Sequence, residues 1–178
     1  GLADNTIVVF TSDHGDGAAA HQWSAKLSLY EESAMVPMII SFPGVIPDNR
    51  IDSLHLVSQI DIVPTLCDYA GIEATADFSG RSWRPIIEDP RAPWRDYLVV
   101  ELADFKPDKE RKGRMLRTDR FKYNVYSSGA RNEQLFDLDA DPGERRNLAF
   151  DPEYREVVDQ HRAYLNAWME RTGDEVEW

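Results

Sequence analysis

Asp13 and His14 stand just beyond the apolar run Ile7-Val8-Val9-Phe10, and His21 and Lys26 follow in a stretch made largely of Gly, Ala and Ser. A carboxylate and an imidazole can each ligate a divalent metal. A lysine ammonium is a compact positive charge suited to meet an anion. An imidazole can exchange a proton near neutral pH. Gly15 and Gly17 let the backbone turn sharply and let a ligand come close. Open α/β sheets place their sites in loops at the carboxyl ends of strands. The position and the residue types therefore suit a metal-and-anion site. The same residues also suit an ordinary turn, and spacing alone does not separate the two readings.

The elements that must hold these residues follow from local pattern. Thr6–Thr11 is short, β-branched and not alternating, which predicts a fully buried strand. Ser12–Ala25 reads as a loop and Lys26–Ser33 as a short helix. Val36–Phe42 predicts a second buried strand, with Pro37 near its start. Ser58–Tyr69 carries Ile60, Val63, Leu66 and Cys67 at helical spacing and is stopped by Gly71; Pro64 kinks it or opens the helix proper, with Asp61 near the cap. Phe78–Pro93 holds turn signals and three prolines. Four short strands then follow, at Tyr97–Leu102, Arg114–Thr118, Phe121–Tyr126 and Gln134–Leu138. Asp104–Gly113 reads as a charged, exposed loop, and Asp119-Arg120 and Asp141-Pro142-Gly143 as turns. Asp151–Arg171 is the clearest helix, with Asp151 as cap and Pro152 at the first position. Its apolar stripe is Tyr154, Val157, Val158, His161, Leu165 and Trp168. The order is buried strands with helices, then an antiparallel sheet closed by a helix.

Composition sets the limits. At 178 residues with 42% hydrophobic content the chain can bury a core. A net charge of -12 argues against a nucleic-acid surface, which needs clustered Lys and Arg. An anionic substrate would need a local cationic pocket or a metal to overcome that field. Cys67 is the single cysteine, so no internal disulfide forms. No apolar run approaches membrane-spanning length. The chain lacks an initiator Met and a signal peptide and meets a strand within its first residues, which predicts that upstream sequence has been removed.

Four stretches, in order from about Val8 to Ala149, resemble the sulfatase family. "FTSDHGD…HQWSAKLSLYEES…VPMIISFPG" is similar to the family's S-D-[HN]-G segment, its downstream lysine, its Y-E pair and its VP strand. "SQIDIVPTLCDYAGI" is similar to D-I-x-P-T-L-x-D-x-A-G-I. "LRTDRFKYNVY" and "EQLFDLDADPGERRNLA" resemble the family's hairpin and its closing L-[YF]-D-L-x-x-D-P-x-E-x-x-N-L signature. The resemblance implies an α/β fold: residues 1–94 as the C-terminal part of an alkaline-phosphatase-like sheet-and-helix domain, and residues 95–178 as a small four-stranded antiparallel sheet with a C-terminal helix. It implies that Asp13 and His14 are metal ligands, that Lys26 contacts the sulfate and supports departure of the alcohol, and that His21 lies near the substrate. The implied cofactor is a divalent metal, Ca2+ by the resemblance, while an Asp-His pair also suits Mn2+ or Zn2+. The implied partner is a sulfate-ester substrate, with no nucleic acid and no membrane, and the implied location is periplasmic or extracellular.

Part of the family's machinery has no counterpart here. The nucleophile motif C/S-x-P-x-R, oxidised to formylglycine, is absent; Cys67 is followed by Asp68-Tyr69-Ala70-Gly71 and reads as a buried structural thiol. The first metal aspartates and the other catalytic Lys, His and Arg are also expected upstream. The chain therefore resembles the C-terminal portion of a sulfatase, carrying half of a metal site. Two ligands hold a metal poorly, so this portion alone is expected to bind metal weakly or not at all and to turn nothing over. Its first strands are expected to leave edges and apolar faces uncovered, which favours self-association or pairing with the missing N-terminal part.

Other polar residues read more simply. His55 and His161 are packing or surface histidines, Glu31 and Glu32 helix-face carboxylates, and Asp61 a cap. Asp137, Asp139 and Asp141 alternate like an oxygen-ligand loop but match a strand and turn. Arg111-Lys112 and Arg145-Arg146 read as solvated turns, and the loop Ala103–Gly113 as one that reaches towards a cleft. Ala18-Ala19-Ala20 replaces larger residues of the family before the histidine, and the Asp-His pair also occurs in phosphonate and phosphodiester hydrolases of the superfamily. Such a hydrolase, and a non-catalytic module binding an anion or a partner, are the competing readings.

Overall fold

The computed structural model describes residues 1–73, 77–106 and 109–178, with side chains for all of these except 104–106 and 109–111. The chain folds as two compact units, one of Gly1–Asp13 with Val36–Asp96, the other of His14–Met35 with Tyr97–Trp178.

In the first unit, β1 (Val8–Thr11) pairs antiparallel with β2 (Met38–Ser41), in the register Val8↔Ser41 to Thr11↔Met38. The sequence predicts fully buried strands here, and that expectation fails within this unit. Val8, Phe10 and Ile39 are each more than half exposed. A two-stranded ladder offers two faces and two edges, and the described residues of the unit do not cover them. The next helix carries the same inversion. A single 3-10 turn, Gln59–Asp61, leads into α2 (Ile62–Ala70), whose predicted apolar stripe is open: Ile60 and Val63 are more than half exposed. Cys67 is half-buried rather than buried.

The buried face of α2 is polar instead. Asp61 is fully buried, and its carboxylate accepts from the backbone of Ser58 (2.8 Å) and Arg81 (2.8 Å) and from Arg95 Nη2 (2.5 Å). Ser58 and Asp61 form a reciprocal capping box. Thr65, also fully buried, donates to the Asp61 carbonyl (2.6 Å) and accepts from the backbone of Trp83 (2.9 Å). A buried charge of this kind is tolerable only when every lone pair finds a donor. The residues predicted as turns before Pro93 contain a short helix, α3 (Arg84–Glu88), opened by Pro85.

In the second unit, α1 is only Glu31–Ala34, shorter than the helix predicted over Lys26–Ser33. The four predicted strands are present and form one antiparallel sheet, β3-β4-β5-β6. These are β3 (Leu98–Lys106), β4 (Lys109–Arg117), β5 (Phe121–Tyr126) and β6 (Glu133–Asp137). The charged loop predicted at Asp104–Gly113 is a correction. The β3–β4 ladder continues through Asp104↔Arg111, Phe105↔Glu110 and Lys106↔Lys109, so Arg111-Lys112 lie in a strand, and of the hairpin's backbone only residues 107–108 fall outside the description. Backbone pairing extends the hairpin although its side chains are charged.

A 3-10 turn, Pro152–Tyr154, runs into α4 (Arg155–Thr172), with Asp151 capping the Glu153 amide. The helix stripe packs on one face of the sheet, where Leu116, Tyr123, Val125, Leu135, Leu148, Val158 and Leu165 form the core. Leu29, Leu102 and Met115 form a second, smaller core. The closing signature accounts for its polar residues one by one. Asp137 pairs with Arg120 (2.9 and 2.6 Å), and Asp141 accepts the amides of Arg145 (2.7 Å) and Arg146 (2.8 Å). Asn147 accepts from Leu135 N (3.0 Å) and Ala149 N (2.9 Å) and donates to the Glu133 carbonyl (3.0 Å). Asp137 and Asp141 therefore spend their oxygens on N–H donors, as a strand and turn require. No helix among the described residues is long and apolar enough to cross a membrane.

His161 is buried under the sheet, with Nδ1 2.7 Å from the Val157 carbonyl. Burial holds its pKa below the ordinary 6.5, with the Val157 contact acting against that shift. The fold therefore keeps it neutral while the unfolded chain takes up a proton near 6.5, so stability is complete above that pH and declines below it. Asp137, Glu133 and Asp174, each held below its ordinary value chiefly by an arginine partner, extend the loss further into acid. The thermal midpoint is expected to fall on going from pH 8 to pH 5.5, and less so in a His161→Gln variant compared with its own midpoint at pH 8. A flat wild-type profile across that interval would contradict this.

Candidate functional site

Asp13 lies two residues past the end of β1 and is exposed, with Ser12 Oγ 3.4 Å from its Oδ1. It closes the N-terminal stretch of the first unit, and His14 opens the second. His14 is half-buried, with Nδ1 2.7 Å from the Gly15 carbonyl. A carbonyl only accepts, so Nδ1 carries a proton, and a metal would be ligated through Nε2. An Nδ1–H bond to a carbonyl is the usual support for a histidine that ligates through its other nitrogen. A carboxylate oxygen and an imidazole nitrogen, side by side in the chain, fit a divalent cation as a donor set.

The segment after His14 is held by close backbone approach. Gly15 N donates to Ser33 O (3.0 Å), and a Cβ on Gly15 would lie 1.9 Å from the Glu32 carbonyl oxygen. Gly17 N donates to Ala25 O (3.0 Å), and a Cβ there would lie 2.9 Å from Trp23 O. Only glycine fits either place. Ala18, Ala19, His21, Gln22 and Ala25 all take left-handed backbone conformations, with φ from 44° to 74°. Each costs on the order of 1 kcal/mol and persists only where the surroundings over-determine it. Here the bonds Ala19 N to Trp23 O (2.9 Å) and Trp23 N to Ala20 O (2.8 Å) close the turn.

That turn aims His21. Its ring stacks on Tyr30 at 3.8 Å between centroids and 4° between planes, and its Nε2 lies 3.7 Å from Glu32 Oε2. Ligand-type atoms of His21, Glu32 and Glu144 all fall within 4.8 Å of one another. Glu144 is buried, and burial pushes its carboxyl above the ordinary 4.5, with the Lys122 ammonium acting against that. Its Oε2 accepts the Glu31 amide (2.6 Å). Lys122 is fully buried, with Nζ 2.8 Å from Glu31 Oε1 and 2.9 Å from Glu144 Oε1, both off the hydrogen-bond directions. Lys26 is exposed on the same loop.

The structure thus places His14, His21 and Lys26 on one segment of one unit, and Asp13 at the strand end of the other. Glu31 and Glu32, read as helix-face carboxylates, instead reach Lys122 and His21. Sequence reasoning misses Lys122 and Glu144. Glu144 is the glutamate of the closing signature, and that is the signal available for it.

The fold is that of an α/β protein with a four-stranded antiparallel sheet and a closing helix, and similarity specifies the family. The family profile described as "N-sulphoglucosamine sulphohydrolase, C-terminal" matches residues 19–171. The chain is 39% identical over 174 residues to the Delta 4,5-hexuronate-2-O-sulfatase of Bacteroides thetaiotaomicron, covering 96% of this chain and 36% of that protein. It matches the solved structure of a 2-O GAG sulfatase with a TM-score of 0.88 at 38% identity, covering 96% of this chain and 37% of that one. It also matches the phosphonate monoester hydrolase of Agrobacterium radiobacter, with a TM-score of 0.80 at 27% identity over 94% of this chain and 36% of that one. The chain belongs to the sulfatase family and corresponds to its C-terminal portion. It spans about a third of the length of the relatives it matches.

Replacing Gly15 by Ala forces a methyl against the Glu32 backbone, and such overpacking typically costs about 1–3 kcal/mol. Chemical denaturation of the Gly15→Ala chain is expected to show a loss in that range. An unchanged midpoint would mean the loop is not held as described.

Proposed function

We propose that the complete protein hydrolyses sulfate monoesters of a sulfated carbohydrate. This chain would supply Asp13 and His14 to a divalent metal, Lys26 to the sulfate, and His21 beside the leaving oxygen. The observation that carries the reading is the Asp13-His14-Gly15 turn at a strand end, with His21 and Lys26 on the segment after it, in a chain similar to sulfatases along nearly its whole length. The carbohydrate follows from the hexuronate in the name of one relative and the GAG in that of another.

When bound, a divalent cation neutralises charge on the sulfate oxygens and positions the ester. Lys26 adds a second positive charge on a flexible stem that follows the sulfate as charge develops. His21, oriented by its stack on Tyr30 and by Glu32, donates a proton to the departing alkoxide. The nucleophile, a formylglycine, belongs to the upstream part; Cys67 lies in α2 outside any C/S-x-P-x-R context.

A phosphonate or phosphodiester hydrolase is the second reading. The Asp-His pair and the match to a phosphonate monoester hydrolase favour it. Assays of the complete protein on an aryl sulfate and an aryl phosphodiester separate the two. The sulfate is expected to give the higher kcat/KM, and Lys26→Ala and His14→Ala each to lower it roughly 10²–10³-fold, as loss of one group stabilising transition-state charge does. Preference for the phosphodiester would transfer the assignment, and hydrolysis of neither would leave a binding module. Calorimetric titration of this chain alone with Ca2+ is expected to show no micromolar binding, because half of the ligands are missing. Tight binding would contradict the half-site.

A further inference from the structure

The second unit contains a cavity of about 320 Å³ between the His21–Tyr30 segment, the end of β5 and the β5–β6 turn. Its walls are unlike a packing defect. Trp23 is a third exposed at the rim (38%), and Tyr30 and Tyr126 line the interior. His21, stacked on Tyr30, forms one wall, so the cavity adjoins the histidine proposed above to act at the leaving oxygen. Tyr30 is held by Gln134, another lining residue, whose Nε2 lies 3.4 Å from its hydroxyl and whose Oε1 accepts from Asn124 Nδ2 at 3.2 Å.

The polar groups of the β5–β6 turn are placed differently. Among the described residues Arg131 is the one Lys or Arg that lines the cavity, and no carboxylate pairs with it. Its guanidinium is held over the Phe150 ring, 5.2 Å from the centroid, which orients the fork without occupying its donors. Asn132 is half-buried, and its side-chain amide carries no hydrogen bond to another described residue. A net charge of -12 gives no long-range attraction for an anion. An unpaired arginine at the mouth of an aromatic-walled cavity is therefore a local device for selecting one.

We infer that this cavity is a subsite for an anionic sugar ring, with Arg131 binding a ring carboxylate or a second sulfate, Asn132 a hydroxyl, and Trp23 and Tyr126 packing on the ring faces. Carboxylate and sulfate each present a pair of anionic oxygens that the planar guanidinium fork can meet with two N–H donors. Aromatic walls with a few convergent polar groups are the usual build of a small-ligand pocket. The inference rests on the carbohydrate reading above, deepens it to an acidic glycan, and assigns the choice of ring to the β5–β6 turn.

The test uses the complete protein and reads binding as well as turnover. Calorimetric titrations with a glucuronic-acid disaccharide and with an N-sulfated glucosamine disaccharide, neither carrying a sulfate ester, ask which anion is taken. At least one is expected to bind. Arg131→Ala is expected to weaken it at least tenfold, and Arg131→Lys less, because charge survives without the fork. In turnover, the ratio of kcat/KM on a sulfated disaccharide to that on an aryl sulfate is expected to fall about tenfold or more in Arg131→Ala, through KM. Binding of neither disaccharide, or binding and a turnover ratio indifferent to Arg131→Ala and Asn132→Ala, would overturn the inference. Because the titrations need no hydrolysis, failure of the sulfatase reading in the assays above leaves them readable.

Discussion

A lysine buried in the sheet is the constraint on which the second unit depends. Lys122 sits on β5 with no exposed surface, and an ammonium stripped of water at that depth needs carboxylates around it. It finds Glu31 from α1 and Glu144 from the turn after β6. Glu144 then spends its other oxygen on the Glu31 amide. Three segments far apart in sequence are locked at one point. Removing one member of such a cluster strands a charge, which typically costs about 3–5 kcal/mol. The neighbour of Glu31 is Glu32, whose carboxylate faces His21 and whose carbonyl abuts Gly15. The loop bearing His14, His21 and Lys26 is thus anchored through α1 to the sheet.

The first unit uses the same principle with the sign reversed. Asp61 is fully buried and draws in Arg95, Trp83, Arg81 and Ser58, which fixes the start of α2 and the segments beside it. Meanwhile the apolar side chains of β1, β2 and α2 remain open. A polar residue is buried where its partners lie within the unit. Apolar residues stay exposed where the partners that would cover them are not among its described residues.

Much of this is legible in the sequence, and the reasons differ by element. β5 and α4 are readable because short-range pattern decides them: a run of aromatic and β-branched residues, and a stripe with its cap. The closing signature is readable as a turn because Asp141 bonds residues only four and five positions away. The β3–β4 extension is hidden, since Asp104, Lys106, Lys109 and Arg111 read as loop residues in sequence and only the ladder shows that their backbone pairs. Lys122 is hidden for a deeper reason. A lysine in a strand predicts an exposed face, and its burial depends on carboxylates that no local window contains. The burial of β1 is over-read because an apolar run states a demand for cover without saying where the cover comes from.

The candidate site divides in the same way. Asp13, His14 and Lys26 stand out by residue type and by resemblance, whereas the groups that aim them do not. Tyr30, Glu32 and Glu144 hold or face His21 through contacts that only the fold creates. The Lys122 cluster positions the loop, and hydrogen exchange on a Lys122→Met chain reads that dependence. The amides of Gly15, Gly17 and Ala34 are expected to lose protection relative to those of Tyr123 and Val125 in β5. Unchanged relative protection across that loop would contradict it.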